Sequence, residues 1–213
     1  LGRELLETYG RSMGIPRHFT IFDRDDSERA IKNALKELGI DPKELAPRAI
    51  LSLISKAKGD GMTAGEYAEK RGRQSFRARV ASDAWRKYDE TLAKEKALDF
   101  DDLIFAARGL LRDHDDVRRA LAARFAHVLV DEFQDTDPIQ TEIFWTLARN
   151  ESGASTKFSF DDDLIAGKIF TVGDACQSIY RFRNASVETY RLSTTSLQRR
   201  GELVRIVQNF RSN

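Results

Sequence analysis

His127-Val128-Leu129-Val130-Asp131-Glu132-Phe133-Gln134-Asp135-Thr136 decides how the rest of the chain is read. Three adjacent apolar residues, two of them β-branched, run straight into a cluster of acids. The apolar run predicts a strand buried on both faces, as in a parallel sheet. The acids then fall at the carboxyl end of that strand, where open α/β sheets place their ligands. Successive strand side chains point to opposite faces, so Asp131 and Glu132 are expected to face different targets. One suits a hydrated Mg²⁺; the other suits a water to be oriented or deprotonated. Nucleotide hydrolysis needs such a pair. Alone, the same residues also read as a strand ending in a solvated acidic turn.

Working outward, Lys168 to Gly173 reads as a second buried strand that ends in Asp174. Leu203, Val204 and Ile206 read as a third, ahead of Gln208-Asn209-Phe210-Arg211. If these strands are parallel neighbours, three polar clusters converge on one edge of the sheet: Asp131-Glu132, Gly173-Asp174 with Gln177, and Asn209 with Arg211. A nucleotide site needs those residue types: acids for metal and water, an amide to sense phosphate, and a cation for developing charge. Asp137 and Pro138 open a helix through Leu147, and Ser186 to about Arg199 reads as another. Between them, residues 150–167 are polar and are expected to form an exposed loop or a partly disordered insertion.

The upstream half is helical in pattern and carries no chemical motif. A helix tail ends at Gly14 and Pro16, and Phe19 to Phe22 is short and extended. Asp25, Asp26 and Ser27 are expected as cap and first-turn acids of a helix ended by Gly39. Pro47 opens the next, with Ile50, Leu51 and Ile54 in its stripe, and Thr63 with Glu66 fits a capping box. Gln74 to about Lys96 reads as one long helix with Phe76, Val80, Ala84, Tyr88 and Leu92 on one face. Its Arg77, Arg79, Arg86 and Lys87 read as solvated surface. Asp99 caps a further helix bearing Leu103, Ile104, Ala107, Leu110 and Leu111, and a short one holds Val117, Leu121 and Phe125.

At 213 residues, with 41% hydrophobic and 32% charged residues, the chain is one large globular domain or two small ones. A net charge of +1 gives no compositional signal for nucleic acid, so any basic surface is local. One cysteine, Cys176, excludes an internal disulfide and suits a reducing, cytoplasmic setting. No apolar run approaches a membrane span. The chain opens at Leu1 inside a helical pattern and stops at Asn213, and is expected to be a piece of something longer.

Val130 to Thr136 resembles motif II, the Walker B element, of the UvrD/Rep-type superfamily 1 helicases. Val172-Gly173-Asp174-Ala175-Cys176-Gln177-Ser178-Ile179-Tyr180-Arg181-Phe182-Arg183-Asn184-Ala185 is similar to their motif III, and Gln208 to Ser212 to their motif IV. Leu98-Asp99-Phe100-Asp101-Asp102-Leu103 resembles the segment that returns the chain to the first motor domain. Phe19 to Asp23 resembles the start of the inserted helical subdomain. The resemblance covers nearly the whole chain, in the family's order. It implies a helix-dominated α/β fold: a partial RecA-like parallel sheet of the P-loop NTPase type with an inserted all-helical subdomain. Residues 1–18 would end the upstream part of motor domain 1A, 19–96 would be the 1B-like subdomain, and 97–213 would be the later part of 1A.

The same resemblance implies an ATP-dependent enzyme that translocates on single-stranded DNA and separates duplex DNA, with ATP and Mg²⁺ as cofactors. Asp131 would hold Mg²⁺ through water, and Glu132 would be the general base. Gln177 would contact the γ-phosphate and couple it to DNA. Arg211 would act as an arginine finger, and Phe210 would lie near the adenine. Tyr180, Phe182 and Arg183 would face single-stranded DNA, although Tyr180 and Phe182 also read as core aromatics. Phe182 stands where many relatives have Trp, and either ring can stack on a base. No Gly-x-x-x-x-Gly-Lys-Ser/Thr phosphate loop is present in these 213 residues, so they hold half a nucleotide site and would need the remainder of the polypeptide. Two alternatives stay open. One is the helicase subunit of a helicase–nuclease recombination complex, marked by a downstream nuclease carboxylate cluster. The other is a DNA-binding module of this fold that does not hydrolyse ATP.

Overall fold

The punctuation marks of the sequence become helix ends in the computed structural model, which describes residues 2–150, 158–174 and 186–204. Helix α1 (Gly2–Tyr9) runs into a 3-10 turn (Gly10–Met13), and Gly14 ends it at φ 76°, a left-handed conformation that suits glycine. The strand β1 (Thr20–Ile21) leads to α2 (Arg24–Glu37), α3 (Pro47–Gly59), α4 (Ala64–Lys70) and α5 (Phe76–Glu95). The cap of α2 is Asp23, whose carboxylate accepts the Asp26 N–H at 2.8 Å. Asp25 and Asp26 are only first-turn acids, because it is Asp23 that has the extended backbone a cap requires. Thr63 and Glu66 form the expected capping box of α4. On α5, Val80, Ala84, Tyr88 and Leu92 are buried, whereas Phe76 is exposed at the first position, with the Arg79 guanidinium 5.8 Å from its ring centre.

These four helices share one core, in which Ile31, Leu35, Ile50, Ile54, Tyr67, Trp85 and Tyr88 meet. The chain leaves and rejoins the other half at adjoining points. A two-residue strand, β2 (Ala97–Leu98), lies parallel to β1, with Thr20 opposite Ala97 and Ile21 opposite Leu98. Two residues are too few to show alternation, so β2 leaves no periodic mark in the sequence. Beneath it lies a buried polar group. Lys58 of α3, 4% exposed, donates to Asp99 Oδ2 at 2.8 Å and Asp102 Oδ1 at 2.5 Å. Tyr88 Oη donates to Asp99 Oδ2 at 3.0 Å and shares a hydrogen bond with Ser27 Oγ at 2.8 Å. One cation serves two carboxylates here. Burial acts on all of them, yet both acids' charges raise the Lys58 ammonium and hold it charged. Lys58 keeps Asp99 ionised. Burial and the neighbouring Asp99 charge push Asp102 up to about 7.

The second half packs α6 (Phe100–Asp113), α7 (Asp115–Arg124) and α8 (Pro138–Ala148) with α1 around Leu5, Leu110, Leu111, Leu121, Ile139, Ile143 and Leu147. The strands β3 (Val128–Val130) and β4 (Ile169–Thr171) are parallel, with Val128, Leu129 and Val130 opposite Ile169, Phe170 and Thr171. The expectation of strands buried on both faces is corrected. Val130 is buried, but Leu129 is 73% exposed and Phe170 62%, because among the described residues only one face of the pair is covered. The expected third strand is not seen over 201–204, which carry no strand; Ile206 lies outside the described residues.

The expected exposed insertion is also corrected over its described part. Phe158, Phe160 and Leu164 pack against Val130, Phe133 and Trp145, and Phe160 meets Trp145 edge-on at 5.7 Å. Leu164 bridges Arg149, and α9 (Val187–Arg200) holds the Phe160 carbonyl through Ser196 Oγ at 2.5 Å. Two phenylalanines within a polar run are enough to fold it back onto the core.

Candidate functional site

Strand β3 stops at Val130, and the acids leave it through a turn. Glu132 is one of two non-glycine residues among those described with positive φ, at 48° with ψ 41°. That left-handed conformation is uncommon outside glycine and asparagine and has to be held in place. The Asp131 carboxylate accepts the Glu132 N–H at 2.9 Å, and the Glu132 carbonyl accepts the Asp135 N–H at 2.9 Å. A 3-10 turn (Phe133–Asp135) follows, then α8, whose cap Asp137 accepts the Gln140 N–H at 2.7 Å. Burial pushes the Asp137 carboxyl up to about 6. Asp131 and Glu132 are therefore both exposed, but the left-handed turn separates them, not the pleat of a strand as expected.

Under the turn, Phe133 is buried, stacked on Trp145 at 6.0 Å and tilted against Tyr190 at 5.7 Å. The two strand ends meet here. The Phe133 N–H donates to the Val172 carbonyl at 2.8 Å, and the Asp174 N–H donates to Gln134 Oε1 at 3.1 Å. The clusters at Asp131-Glu132 and Gly173-Asp174 are thus neighbours on one edge. Gln177, Tyr180, Phe182, Arg183, Phe210 and Arg211, with Cys176 and Asn209, lie outside the described residues.

An open cleft of about 380 Å³ adjoins the turn. Leu5, Ile104, Ala107, Val130, Ile143 and Phe144 give it an apolar wall, and Asp131, Glu132, Asp135, Thr136 and Gln140 line its polar side. Asp135 Oδ1 is buried there without a hydrogen-bond partner. A buried acceptor of this kind costs free energy unless a donor arrives from elsewhere. No described cation pairs with Asp131, Glu132 or Asp135, and no cluster of three metal-ligating side chains occurs among the described residues. The donor set fits a cation held through its waters, which would bring O–H donors to these oxygens; it does not fit a fully protein-ligated ion. Asp135 was not singled out from sequence, since inside a run of acids nothing marks which oxygen will be buried.

Parallel strands ending in an acid-lined cleft, flanked by a helical excursion that leaves and returns through paired strands, define a helix-rich α/β chain with an open cleft at the strands' carboxyl edge. Residues 1–198 match the UvrD/REP helicase N-terminal domain, and the chain belongs to that family. The ATP-dependent DNA helicase PcrA of Bacillus subtilis is 34% identical over 200 residues, covering 94% of this chain and 25% of the relative. The ATP-dependent DNA helicase UvrD1 of Mycobacterium leprae is 34% identical over 175 residues, 82% of this chain and 22% of the relative. PcrA of Leuconostoc citreum is 30% identical over 212 residues, 100% of this chain and 26% of the relative. The chain spans about a quarter of the length of the curated relatives it matches.

Proposed function

We propose that the full polypeptide is an ATP-dependent DNA helicase and that this chain supplies the hydrolytic acids of its first motor domain. The observation that carries the reading is the Asp131–Glu132 turn, exposed at the mouth of the cleft beside an orphaned Asp135 oxygen. Asp131 would hold Mg²⁺ through water, and the bound cation would neutralise phosphate charge. Glu132, free of any described cation, accepts the proton of a water attacking the γ-phosphate. Gln177 and Arg211 would complete the phosphate contacts, Phe210 would lie by the adenine, and Tyr180, Phe182 and Arg183 would contact single-stranded DNA. Residues 19–96 would be the 1B-like subdomain, and 1–18 with 97–213 part of a RecA-like 1A domain. Two paired three-residue strands are marginal alone. The exposed Leu129 and Phe170 therefore suit a larger sheet completed by the rest of the polypeptide. No helix among the described residues is long and apolar enough to cross a membrane. Together with the single cysteine this supports a cytoplasmic setting.

The direct test is ATP turnover by the full-length protein with and without single-stranded DNA; absence of DNA-stimulated hydrolysis would overturn the reading. The 213-residue segment alone is expected to bind Mg-ATP only weakly. A phosphate loop normally supplies N–H groups and a Lys to cradle the β- and γ-phosphates, and none is present in these residues. Ion pairs in an open, wet cleft contribute only on the order of 1–4 kcal/mol each before ordering costs. Calorimetric titration measures this, and a micromolar dissociation constant would reveal a phosphate cradle elsewhere in the segment.

For DNA, Phe182→Ala in the full-length protein is expected to weaken single-strand binding by roughly 1–3 kcal/mol, the range for one base stacked on a ring. Melting temperature should hold. A large thermal loss with unchanged affinity per folded molecule would instead make Phe182 a core residue.

A further inference from the structure

The contact between the two strand-end loops is tighter than sheet pairing requires. Gln134 is 7% exposed, and its Oε1 accepts the Asp174 N–H at 3.1 Å. Gly173 lies flat against it. A Cβ built on Gly173 would come within 2.7 Å of Gln134 Oε1, 3.2 Å of the Gln134 backbone nitrogen and 3.3 Å of Phe133 Cβ. Real Cβ atoms do not approach that closely, so a side chain here would swing the end of Gln134 off the Asp174 N–H and crowd the Gln134 backbone nitrogen and Phe133 Cβ. The Gly173 φ is not in the left-handed region, so the requirement is one of space and not of backbone freedom. The loop is held from its other side by Tyr190, whose hydroxyl donates to the Gly173 carbonyl at 3.2 Å, while the Tyr190 ring packs on Phe133. Phe133 in turn donates its N–H to Val172.

Gln134 thus sits two residues after Glu132 and binds the loop that runs, three positions later, into Gln177. We propose that Gln134 is a positioning residue that straps the acidic turn after β3 to the loop after β4, so that the two move as one body. It touches no reacting atom. Its contribution is to make a displacement of the Gly173–Asp174 loop reach the Glu132 turn through a partly buried hydrogen bond and a van der Waals contact, with Phe133 and Tyr190 as the packing beneath. This rests on the functional reading above, in which residues shortly after Asp174 face DNA while Glu132 faces water. If so, the strap affects how strongly DNA accelerates hydrolysis more than it affects hydrolysis without DNA.

The test reaches the same contact from both sides in the full-length protein. Gln134→Ala removes the acceptor, and Gly173→Ala drives the Gln134 amide away with its new methyl. ATP turnover is measured for wild type and variants, with and without saturating oligothymidylate, together with melting. Each variant is expected to lower the DNA-stimulated turnover about fivefold to tenfold, the scale for losing one partly buried hydrogen bond. DNA-free turnover should stay within about threefold. The double variant should be no worse than either single, since both remove one contact. Gln134→Glu, which keeps an oxygen acceptor, should retain most of the stimulation and guards against a variant that does not fold. If wild type itself is not stimulated by DNA, the functional reading fails and takes the strap with it. If wild type is stimulated and both alanine variants are stimulated equally, the strap alone is overturned. Equal loss of DNA-free and DNA-stimulated turnover with a fallen melting temperature would also overturn it, leaving Gln134 a purely structural residue.

Discussion

Glu132→Gln in the full-length protein is expected to lower ATP turnover by a factor of about 10² to 10⁴, the usual cost of losing one positioned base, while nucleotide still binds. The structure explains why the effect should be confined to chemistry. The turn is held by backbone groups and by Asp131, through the Glu132 N–H and the Glu132 carbonyl, and neither bond involves the Glu132 carboxylate. Gln has the same shape and leaves both in place. No described cation pairs with the carboxylate, so removing its charge strands no partner. What is lost is the ability to accept a proton from water. Turnover under saturating DNA, with equilibrium binding of a nucleotide analogue measured alongside, checks both halves. Wild-type turnover in the variant would remove Glu132 from the mechanism, and loss of binding would make it a ligand instead of a base.

The largest expected loss of stability comes from Lys58→Met. Lys58 is buried, and it is the only described cation bonded to Asp99 and Asp102. Methionine fills similar volume but leaves the buried Asp99 carboxylate, with Asp102 beside it, without a cation to balance its charge. Breaking one side of a buried ion pair typically costs about 3–5 kcal/mol. For a chain of this size each kcal/mol moves the melting midpoint by roughly 2–4 °C, so the first unfolding transition should fall by about 6–20 °C. Replacing Asp99 and Asp102 together with Asn in the Lys58→Met background should recover much of the loss, because no buried charge then remains. An unchanged midpoint in the single variant would mean that water reaches the junction.

Much of this was legible in the residues. The helices announced their limits through Gly14, Gly39, Pro47, Thr63, Asp99 and Pro138, because each of these acts on its own backbone and needs no distant partner. The acidic turn was legible as a candidate site because an apolar run into Asp-Glu is a local pattern. The Lys58 junction could have been found too. Ile50, Ile54 and Lys58 are four apart, so Lys58 falls on the apolar stripe of α3, where a lone cation needs acids. What stayed hidden depends on contacts made at a distance. The orphaned oxygen of Asp135, set among α1, α6 and α8, and the pressure of Gly173 on Gln134 follow from elements that meet from distant parts of the chain, and no sequence window contains both sides. Phe158 and Phe160 sit among polar neighbours, so the local pattern of their segment does not mark them as core. The exposed face of Leu129 and Phe170 marks the opposite limit: an apolar run predicts cover on both faces, and among the described residues only one face has it.

The parallel pairing of β1 with β2 has a consequence for how the chain is made. Its two strands bracket four helices, so the ladder cannot close until the whole excursion has been synthesised. Contacts distant in sequence form slowly, because loop-closure entropy opposes them before any bond is gained. Here α2 to α5 offset that cost beforehand by packing locally and bringing Thr20 and Ala97 side by side. The ladder is then a late and inexpensive step that registers a folded unit and does not create it. Since closure entropy grows only with the logarithm of length, the seam tolerates an excursion of almost any size whose two ends emerge together. A longer or shorter helical unit joined at this seam is therefore expected to leave the register of the β3–β4 pair unchanged.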